Sequence, residues 1–417
     1  MPSAALFALG LGLLLYALVS DRAGRDGITA PMGFVALGLA LALLGNVDIG
    51  VDSSAIHDLA EAALVIALFT DASRIDVRRL RAQHGLPVRL LTIGLPGTMI
   101  LGTVVAMILF PDLGLWPAAV LAVMLAPTDA ALGQAVVSDR AVPARVRQAL
   151  NVESGLNDGL AFPALLIAVS LAAADGGRGI GGWAGFIAAQ LLLAPLVGGA
   201  VALLCARAIR TALGRGWMDE TFLRISTLAL PLLAYAGAEA VTANGFIAAF
   251  CCGLVTATRD ERLRDAIADF AEAEGQLVTL IVFAAFGAVL LPGAWEGWEW
   301  RHVVYAVLSL TVLRMAPVWL SLLGTGLRRE TVLFLGWFGP RGLASVIYLL
   351  LVLEENSFAG LADIEATTLL TVLLSVVLHG ATAGPLARRY GKAVGDAPRE
   401  SQKVHEFRLG RAGDPED

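Results

Sequence analysis

Charged residues are scarce in this sequence. Only 16% of its 417 residues are Asp, Glu, Lys or Arg, and 57% are apolar, whereas a soluble domain carries about 25% charged residues. Cysteine is scarce as well: Cys205, Cys251 and Cys252 all lie in apolar runs, so no disulfide framework is indicated. The composition therefore argues against an ordinary soluble domain and against a disulfide-stabilised one.

Several catalytic motifs are also missing. The sequence holds no G-x-x-x-x-G-K-[ST], no H-E-x-x-H and no G-x-S-x-G. Its five histidines are scattered, and no apolar run pairs His or Cys at zinc-ligand spacing. We therefore expect a protein that is not an enzyme, uses no cofactor and binds no nucleic acid. His379, in "LHG", is open to two interpretations, as a packing residue or as a pH-sensing one.

Long apolar runs recur along the whole chain instead. A run of about twenty apolar residues spans the ~30 Å hydrocarbon core of a bilayer, so the sequence predicts an all-α polytopic membrane protein. We expect about thirteen transmembrane helices, the first of them not a cleaved signal. The predicted spans are 3–20, 32–49, 55–71, 86–110, 115–138, 147–173, 182–206, 221–240, 243–258, 274–292, 302–324, 331–353 and 364–387.

The basic residues between these runs predict the orientation. One set of alternate breaks, including the C-terminal tail, holds 24 Lys and Arg residues, and the other set holds only Arg178 and Arg301. Cytoplasmic loops carry the excess of Lys and Arg. The N-terminus is therefore expected outside and the C-terminus in the cytoplasm.

An odd number of spans favours an inverted repeat, in which spans 1–6 and 8–13 run in opposite senses. Secondary transporters with such repeats bind their substrates near the midplane, at broken helices. The fifth and twelfth spans both contain a proline beside polar residues, in "APTDAALG" (126–133) and "FGPRGLAS" (338–345). We therefore expect helices 5 and 12 to be broken.

A few ionisable residues fall inside the predicted spans. Each costs about 2.5–3.5 kcal/mol at the bilayer centre even on the most lenient scale, so each needs a reason. They are Asp71, Asp129, Glu153, Asp158, Arg314 and Arg341.

Two of these acids belong to "NVESGLNDGLAFP" (151–163). Ser154 and Asp158 share one helix face, and Glu153 and Asn157 share the adjacent one. Glu153 and Asp158 are five residues apart, about 140° around a helix, which indicates different partners. We expect one carboxylate to be neutralised permanently by an arginine and the other to stay available for chemistry.

The fifth span offers a set of hard oxygens. Pro127 frees backbone carbonyls in the preceding turn, beside the Thr128 hydroxyl and the Asp129 carboxylate. Hard oxygen ligands suit an alkali-metal cation. For the other charges two interpretations stay open: Arg341 ties helices together or tunes the electrostatics of the site, and Asp71 is a span-end charge or part of an ion path.

At these residues the sequence resembles a known family. "LAPTDAALGQAVVSD" followed by "ALNVESGLNDGLAFP" is similar to the fifth and sixth spans of sodium/proton exchangers of the cation:proton antiporter superfamily, in the NhaP-type branch. The resemblance extends to five more segments: "LFTDASRIDVRRLR", "NGFIAAFCCGL", "LRMAPV", "FGPRGLAS" and "LHGATAGPLARR".

The resemblance implies roles for the residues. Asp158 is the ion-carrying carboxylate, with Thr128, Asp129 and Ser154 near the cation. Asn157 stands where the electrogenic branch has an aspartate, which implies one proton per cation. Glu153 pairs with Arg314. Asp71 replaces the glutamate of many members, which leaves its part in the ion path open.

The resemblance also implies a domain organisation and partners. Residues 85–175 and 299–390 form a moving core (spans 4–6 and 11–13), and residues 1–84 and 176–298 form a dimerisation scaffold. Residues 391–417 are a short cytoplasmic tail. The expected assembly is a homodimer in the bilayer of the plasma (inner) membrane.

These observations lead to a functional hypothesis. H⁺ and a monovalent cation compete for Asp158, which predicts electroneutral Na⁺(Li⁺)/H⁺ exchange by alternating access without a cofactor. Two alternatives remain at this point: a K⁺/H⁺ antiporter built on the same residues, and a cation channel.

Overall fold

The structure, a computed structural model, describes residues 2–25, 27–43, 53–73, 85–139, 141–173, 180–259, 261–270, 275–355 and 358–395. Several predicted features lie outside these described residues. They are the end of the second span (44–49), most of the arginine-rich loop after the third span (74–84), most of the loop after the sixth span (174–179) and residues 396–417 of the tail.

Helices make up nearly all of the described chain. The first half contains α1 (Pro2–Arg25), α2 (Ala30–Leu43), α3 (Ser53–Ser73), α4 (Leu86–Leu109), α5 (Leu115–Met124), α6 (Ala130–Val137), α7 (Ala144–Ala172) and α8 (Ile180–Gly214). The second half contains α9 (Glu220–Glu239), α10 (Gly245–Arg259), α11 (Glu261–Phe270), α12 (Gln276–Gly297), α13 (Trp300–Leu310), α14 (Val312–Ser321), α15 (Arg329–Trp337), α16 (Leu343–Glu355) and α17 (Leu361–Gly395).

The prediction of an all-α polytopic membrane protein is confirmed. Seven stretches of the described chain are long and apolar enough to cross a bilayer, and five shorter apolar helices accompany them. The seven are Leu86–Leu109, Ala144–Ala172, Leu192–Gly214, Glu220–Glu239, Gln276–Gly297, Trp300–Ser321 and Leu361–Val394. Each of the thirteen predicted spans overlaps helical structure, and the count of thirteen crossings stays a prediction.

The two predicted helix breaks are present. α5 ends at Met124 and α6 begins at Ala130, so the broken segment contains Pro127. α15 ends at Trp337 and α16 begins at Leu343, with Pro340 between them. The two irregular segments meet, because the Asp129 amide donates to the Pro340 carbonyl at 2.8 Å.

The structure corrects the predicted layout in two places. The break read as the loop "TRDERLRD" contains the start of helix α11, because Leu263, Ala266 and Ile267 recur at helical spacing and are buried on one face. The predicted eleventh span (302–324) is divided at Thr311, which departs from helical geometry between α13 and α14.

The packing falls into two groups of helices. α10 packs against α3, α8 and α9, and α11 lies on α9 and α10. In the other group α7 packs against α5 and α6, and α17 packs against α6, α13 and α16. Contacts of α7 with α3 and α10, and of α16 with α3, join the two groups, so α7 lies at the boundary between them.

Candidate functional site

Asp129 is placed at the amino ends of two half-helices. It is the N-cap of α6, where its Oδ1 accepts from the Leu132 amide at 2.8 Å, and its Oδ2 accepts from the Leu343 amide at the start of α16 at 2.6 Å. Helix amino ends carry partial positive charge, which a carboxylate offsets. Both of its oxygens thus accept from backbone amides, and its role as a cation ligand stays a prediction.

Arg341 is placed at the opposite ends of the same crossing. Its fully buried guanidinium donates to the carbonyls of Leu125 (2.7 Å), which follows α5, and of Gly339, which follows α15. A third donation reaches the Ser309 carbonyl at 3.3 Å. Helix carboxyl ends carry partial negative charge, so Arg341 both neutralises the crossing and ties α5, α13 and α15 together.

Two glycines of "FGPRGLAS" make this arrangement sterically possible. A Cβ at Gly342 would overlap the Asp129 carboxylate, and a Cβ at Gly339 would lie 2.5 Å from Arg314 Nε and 3.0 Å from Thr128 Cγ2. No larger residue fits at either position without moving a charged side chain. The glycines are therefore part of the site.

Three polar side chains meet beside the crossing. Asn157 Nδ2 donates to Thr128 Oγ1 at 2.6 Å, and Thr128 Oγ1 lies 3.0 Å from Ser154 Oγ. All three residues are buried. The structure thus brings the predicted Thr128 of the broken helix onto the polar face of α7, where Ser154 and Asn157 lie one turn apart.

Asp158 is the residue of α7 that follows Asn157, and it is partly buried. Its Oδ1 atom is buried without a hydrogen-bond partner among the described residues, and the same holds for the Oδ1 atom of Asn157. Buried polar atoms in native proteins are nearly always paired with protein or ordered water. Unpaired oxygens on two consecutive residues of α7 therefore mark places where a proton, a cation or water completes the structure.

Glu153, on the same helix, has a charged partner of its own. Arg314 Nη2 lies 2.6 Å from Glu153 Oε1, and both side chains are about 99% buried. A buried charge is costly unless it is paired, so each of these residues compensates the charge of the other. Glu153 Oε2 and Arg314 Nε have no hydrogen-bond partner among the described residues. The pair joins α7 to α14.

Asp71 lies near the end of α3 and is partly buried. Its backbone carbonyl would lie 3.5 Å from a Cβ at Gly155, three residues before Asp158 on α7. The structure therefore brings α3 against the polar face of α7. It does not decide between a span-end charge and a part of an ion path.

A narrow cavity reaches the cluster from one side. It approaches Ser154 from the amino end of α7, which follows the predicted cytoplasmic break 138–148. Its walls are formed by Gly133, Val136, Val137, Leu150, Asn151, Ser154, Phe338 and Pro340.

Some polar residues of the site escape prediction from the sequence. The Tyr348 hydroxyl donates to the backbone carbonyl of Asp158 at 2.9 Å, and Ser375 Oγ accepts from the Arg341 amide at 2.6 Å. His379 stacks obliquely on Trp337 and lies 2.9 Å from its carbonyl through Nε2. The one available signal is the spacing of Ser375 and His379, which are four residues apart on α17 and share a face.

Two broken helices that cross at buried opposite charges, beside a polar face on a neighbouring helix, define an integral multi-pass membrane protein of the secondary-transporter class. The chain belongs to the sodium/hydrogen exchanger family, whose model ("Sodium/hydrogen exchanger, transmembrane") matches residues 10–389.

The relatives and structures it resembles are consistent with that family. A probable Na⁺/H⁺ antiporter of Schizosaccharomyces pombe is 24% identical over 324 residues, which cover 72% of this chain and 41% of the relative. The K⁺/H⁺ antiporter NhaP2 of Shewanella oneidensis is 25% identical over 398 residues, covering 91% of this chain and 66% of the relative. The chain thus spans less than two thirds of the length of these two relatives.

A solved structure has the same fold. The sodium proton antiporter MjNhaP1 from Methanocaldococcus jannaschii at pH 8 superposes with a TM-score of 0.76, covering 93% of this chain and 99% of that chain. The sequence identity is 21%, so the likeness concerns the fold alone.

Proposed function

We propose that this protein is a secondary active antiporter that exchanges a monovalent cation, Na⁺ or Li⁺, for H⁺ by alternating access. H⁺ and the cation compete for the carboxylate of Asp158. The observation that carries the proposal is the unpaired, buried Oδ1 of Asp158, preceded on α7 by Asn157, whose Oδ1 is also unpaired. Carboxylate, amide and hydroxyl oxygens are ligands that hard cations prefer.

Charge counting supports a single exchangeable charge. Glu153 is neutralised by Arg314, and Asp129 faces two helix amino ends. Asn157 is neutral, so Asp158 is the one carboxylate of α7 that binding has to neutralise. One proton or one monovalent cation does so, and we therefore propose an electroneutral 1:1 exchange.

The same count explains coupling. A carboxylate that carries H⁺ or a cation is close to neutral and passes an apolar barrier at low cost. An empty carboxylate is a bare charge, whose transfer into an apolar medium is prohibitively costly. The loaded site therefore moves across the barrier in both directions, and the empty site moves in neither. This restriction produces exchange and requires no cofactor.

The helix packing supports a division into a moving core and a scaffold. We assign residues 85–175 and 299–390 to the core and residues 1–84 and 176–298 to the scaffold, in agreement with the two groups of packed helices. We further propose a homodimer in the plasma membrane, with the N-terminus outside and the C-terminus in the cytoplasm. The cavity at Ser154 is then open to the cytoplasm.

Reconstituted transport tests the proposal. Purified protein in proteoliposomes that contain a pH-sensitive dye should dissipate an imposed pH gradient when Na⁺ or Li⁺ is added. Asp158→Asn keeps the shape of the side chain and removes the exchangeable charge, so it should abolish this activity. Asp112→Asn serves as the control, because Asp112 lies between α4 and α5, outside the broken segments that cross. Exchange by Asp158→Asn at the wild-type rate would overturn the proposal.

K⁺/H⁺ exchange is the second candidate, because NhaP2 of Shewanella oneidensis is named a K⁺/H⁺ antiporter. Exchange rates measured with Na⁺, Li⁺ and K⁺ in turn, between about pH 6 and pH 9, separate the two candidates. A slow, saturable flux supports an antiporter, whereas a non-saturating flux without counter-transport of H⁺ identifies a channel.

A further inference from the structure

A row of aromatic rings runs from Asp158 into the neighbouring group of helices. Phe162 of α7 lies 5.5 Å from Tyr348 of α16 and 4.9 Å from Phe246 of α10, measured between ring centroids. Phe246 in turn lies 5.2 Å from Tyr235 of α9. Tyr348 and Phe162 belong to the proposed core, and Phe246 and Tyr235 belong to the proposed scaffold. The row therefore crosses the boundary between the two.

A second ring of α10 closes the same boundary. Phe250 lies four residues after Phe246, so both rings lie on one face of the helix. A Cβ at Gly159 would overlap the Phe250 ring, so the ring rests directly on the α7 backbone beside Asp158. The glycine at this position permits the close approach.

These rings lie on the side of Asp158 that faces away from the cavity. The cavity ends at Ser154, one turn before Asp158 on α7. Phe162 is four residues after Asp158, which is about 6 Å further along the helix axis. The cavity thus lies towards one end of α7 from Asp158, and the aromatic rings lie towards the other.

Tyr348 connects the row of aromatic rings to the backbone of Asp158. Its fully buried hydroxyl donates to the backbone carbonyl of Asp158 at 2.9 Å, while its ring packs on Phe162. The hydroxyl therefore determines how the turn that carries Asp158 lies against α16. The Tyr348 ring is the first ring of the aromatic row, at its α16 end.

We propose, on the basis of the antiport function above, that two contacts between α7 and α10 form the barrier that closes the ion site on the side opposite the cavity: Phe162 with Phe246, and Gly159 with Phe250. Tyr348 is then the positioning residue that holds Asp158 against this barrier. Opening of the site to that side requires α7 to move away from α10. Aromatic rings suit these contacts because they bury a large apolar area and exclude water.

The barrier is tested by removing the Phe246 ring. In proteoliposomes without Na⁺, Li⁺ or K⁺ in the buffer, Phe246→Ala should allow H⁺ to leak through Asp158 under an imposed membrane potential generated with another permeant ion. Asp158→Asn in the Phe246→Ala background should abolish the leak. The matched control is Phe34→Ala, which truncates another buried ring, packed on Tyr16 within the scaffold, and should not leak.

The outcomes separate the barrier from the antiport function. If Phe246→Ala is as tight as the wild-type protein, or leaks equally with and without Asp158, the barrier is wrong. If Asp158→Asn alone exchanges cations normally, the proposed function fails instead, whatever Phe246→Ala does.

Tyr348→Phe tests the positioning role separately, because it keeps the ring and removes the hydroxyl. Loss of one hydrogen bond should raise the KM for the cation by about two- to tenfold, with little change in maximal rate and no H⁺ leak. Tyr305→Phe is the control, since its buried hydroxyl also donates to a helix carbonyl, that of Gly102 at 3.3 Å. An unchanged KM in Tyr348→Phe, or an equal rise in Tyr305→Phe, would overturn the positioning role.

Discussion

Asp129 and Arg341 occupy opposite poles of one helix crossing. The Asp129 carboxylate accepts from the amides that begin α6 and α16, at 2.8 and 2.6 Å, and the Arg341 guanidinium donates to the carbonyls that follow α5 and α15. Four half-helix ends are thus neutralised by two side chains. These two side chains balance the crossing by themselves, so the proposed ion site on α7 does not have to neutralise it.

This relationship predicts the effect of removing Asp129. Asp129→Ala leaves two buried helix amino ends uncapped, and each lost cap costs about 0.5–2 kcal/mol. Asp129→Asn keeps one acceptor oxygen and should lose less. In detergent, the wild-type protein should unfold at the highest temperature, Asp129→Asn at a lower temperature and Asp129→Ala at the lowest. Equal stability of the three would show that the caps contribute nothing.

Gly342 gives a second, steric prediction. A methyl group at this position would overlap the Asp129 carboxylate and force it away from the Leu343 amide. Overpacking of this kind costs about 1–3 kcal/mol, so Gly342→Ala should unfold at a lower temperature and lose exchange activity. Gly199→Ala is the matched control, since a Cβ there meets no atom within 4 Å. Comparable losses in both variants would contradict the steric explanation.

The residues differ in how far the sequence predicts them. Pro127 and "FGPRG" reveal both helix breaks, because proline and glycine act through the local backbone. Helical spacing assigns Ser154 and Asn157 to the polar face of α7, but it does not show that both surround the Thr128 hydroxyl. That contact depends on how two helices cross, which no local pattern encodes.

Tyr348 and Arg341 show the limit more sharply. A single tyrosine in an apolar helix carries no periodic signal, although its hydroxyl lies on the Asp158 carbonyl. Arg341 is conspicuous in an apolar span, yet its partners are backbone carbonyls of Leu125, Gly339 and Ser309. Every residue has a backbone carbonyl, so the sequence could not identify the ones that Arg341 binds.

The Glu153–Arg314 pair predicts a strong coupling. Removal of one partner leaves an uncompensated buried charge, which costs about 3–5 kcal/mol, whereas replacement of both by apolar residues is often neutral. We expect Glu153→Leu to be strongly destabilised and Glu153→Leu/Arg314→Met to recover most of the loss. Thermal unfolding of the two single variants and the double variant measures the coupling.

Transport by the double variant then separates structure from chemistry. If the pair only holds α7 against α14, the recovered protein should exchange cations. A stable but inactive double variant would mean that Glu153 or Arg314 takes part in transport itself.

Asn157 predicts the charge transferred in each cycle. Its amide donates to Thr128 Oγ1 at 2.6 Å and adds no charge beside Asp158. Asn157→Asp places a second carboxylate next to the first, so a monovalent cation would no longer neutralise the site and two protons could be exchanged for it. In proteoliposomes the wild-type rate should not depend on membrane potential, and the rate of Asn157→Asp should. Gln148→Glu adds the same charge at an exposed position of α7 that does not line the cavity and should behave like the wild-type protein. A potential-dependent wild-type rate would contradict the 1:1 exchange directly.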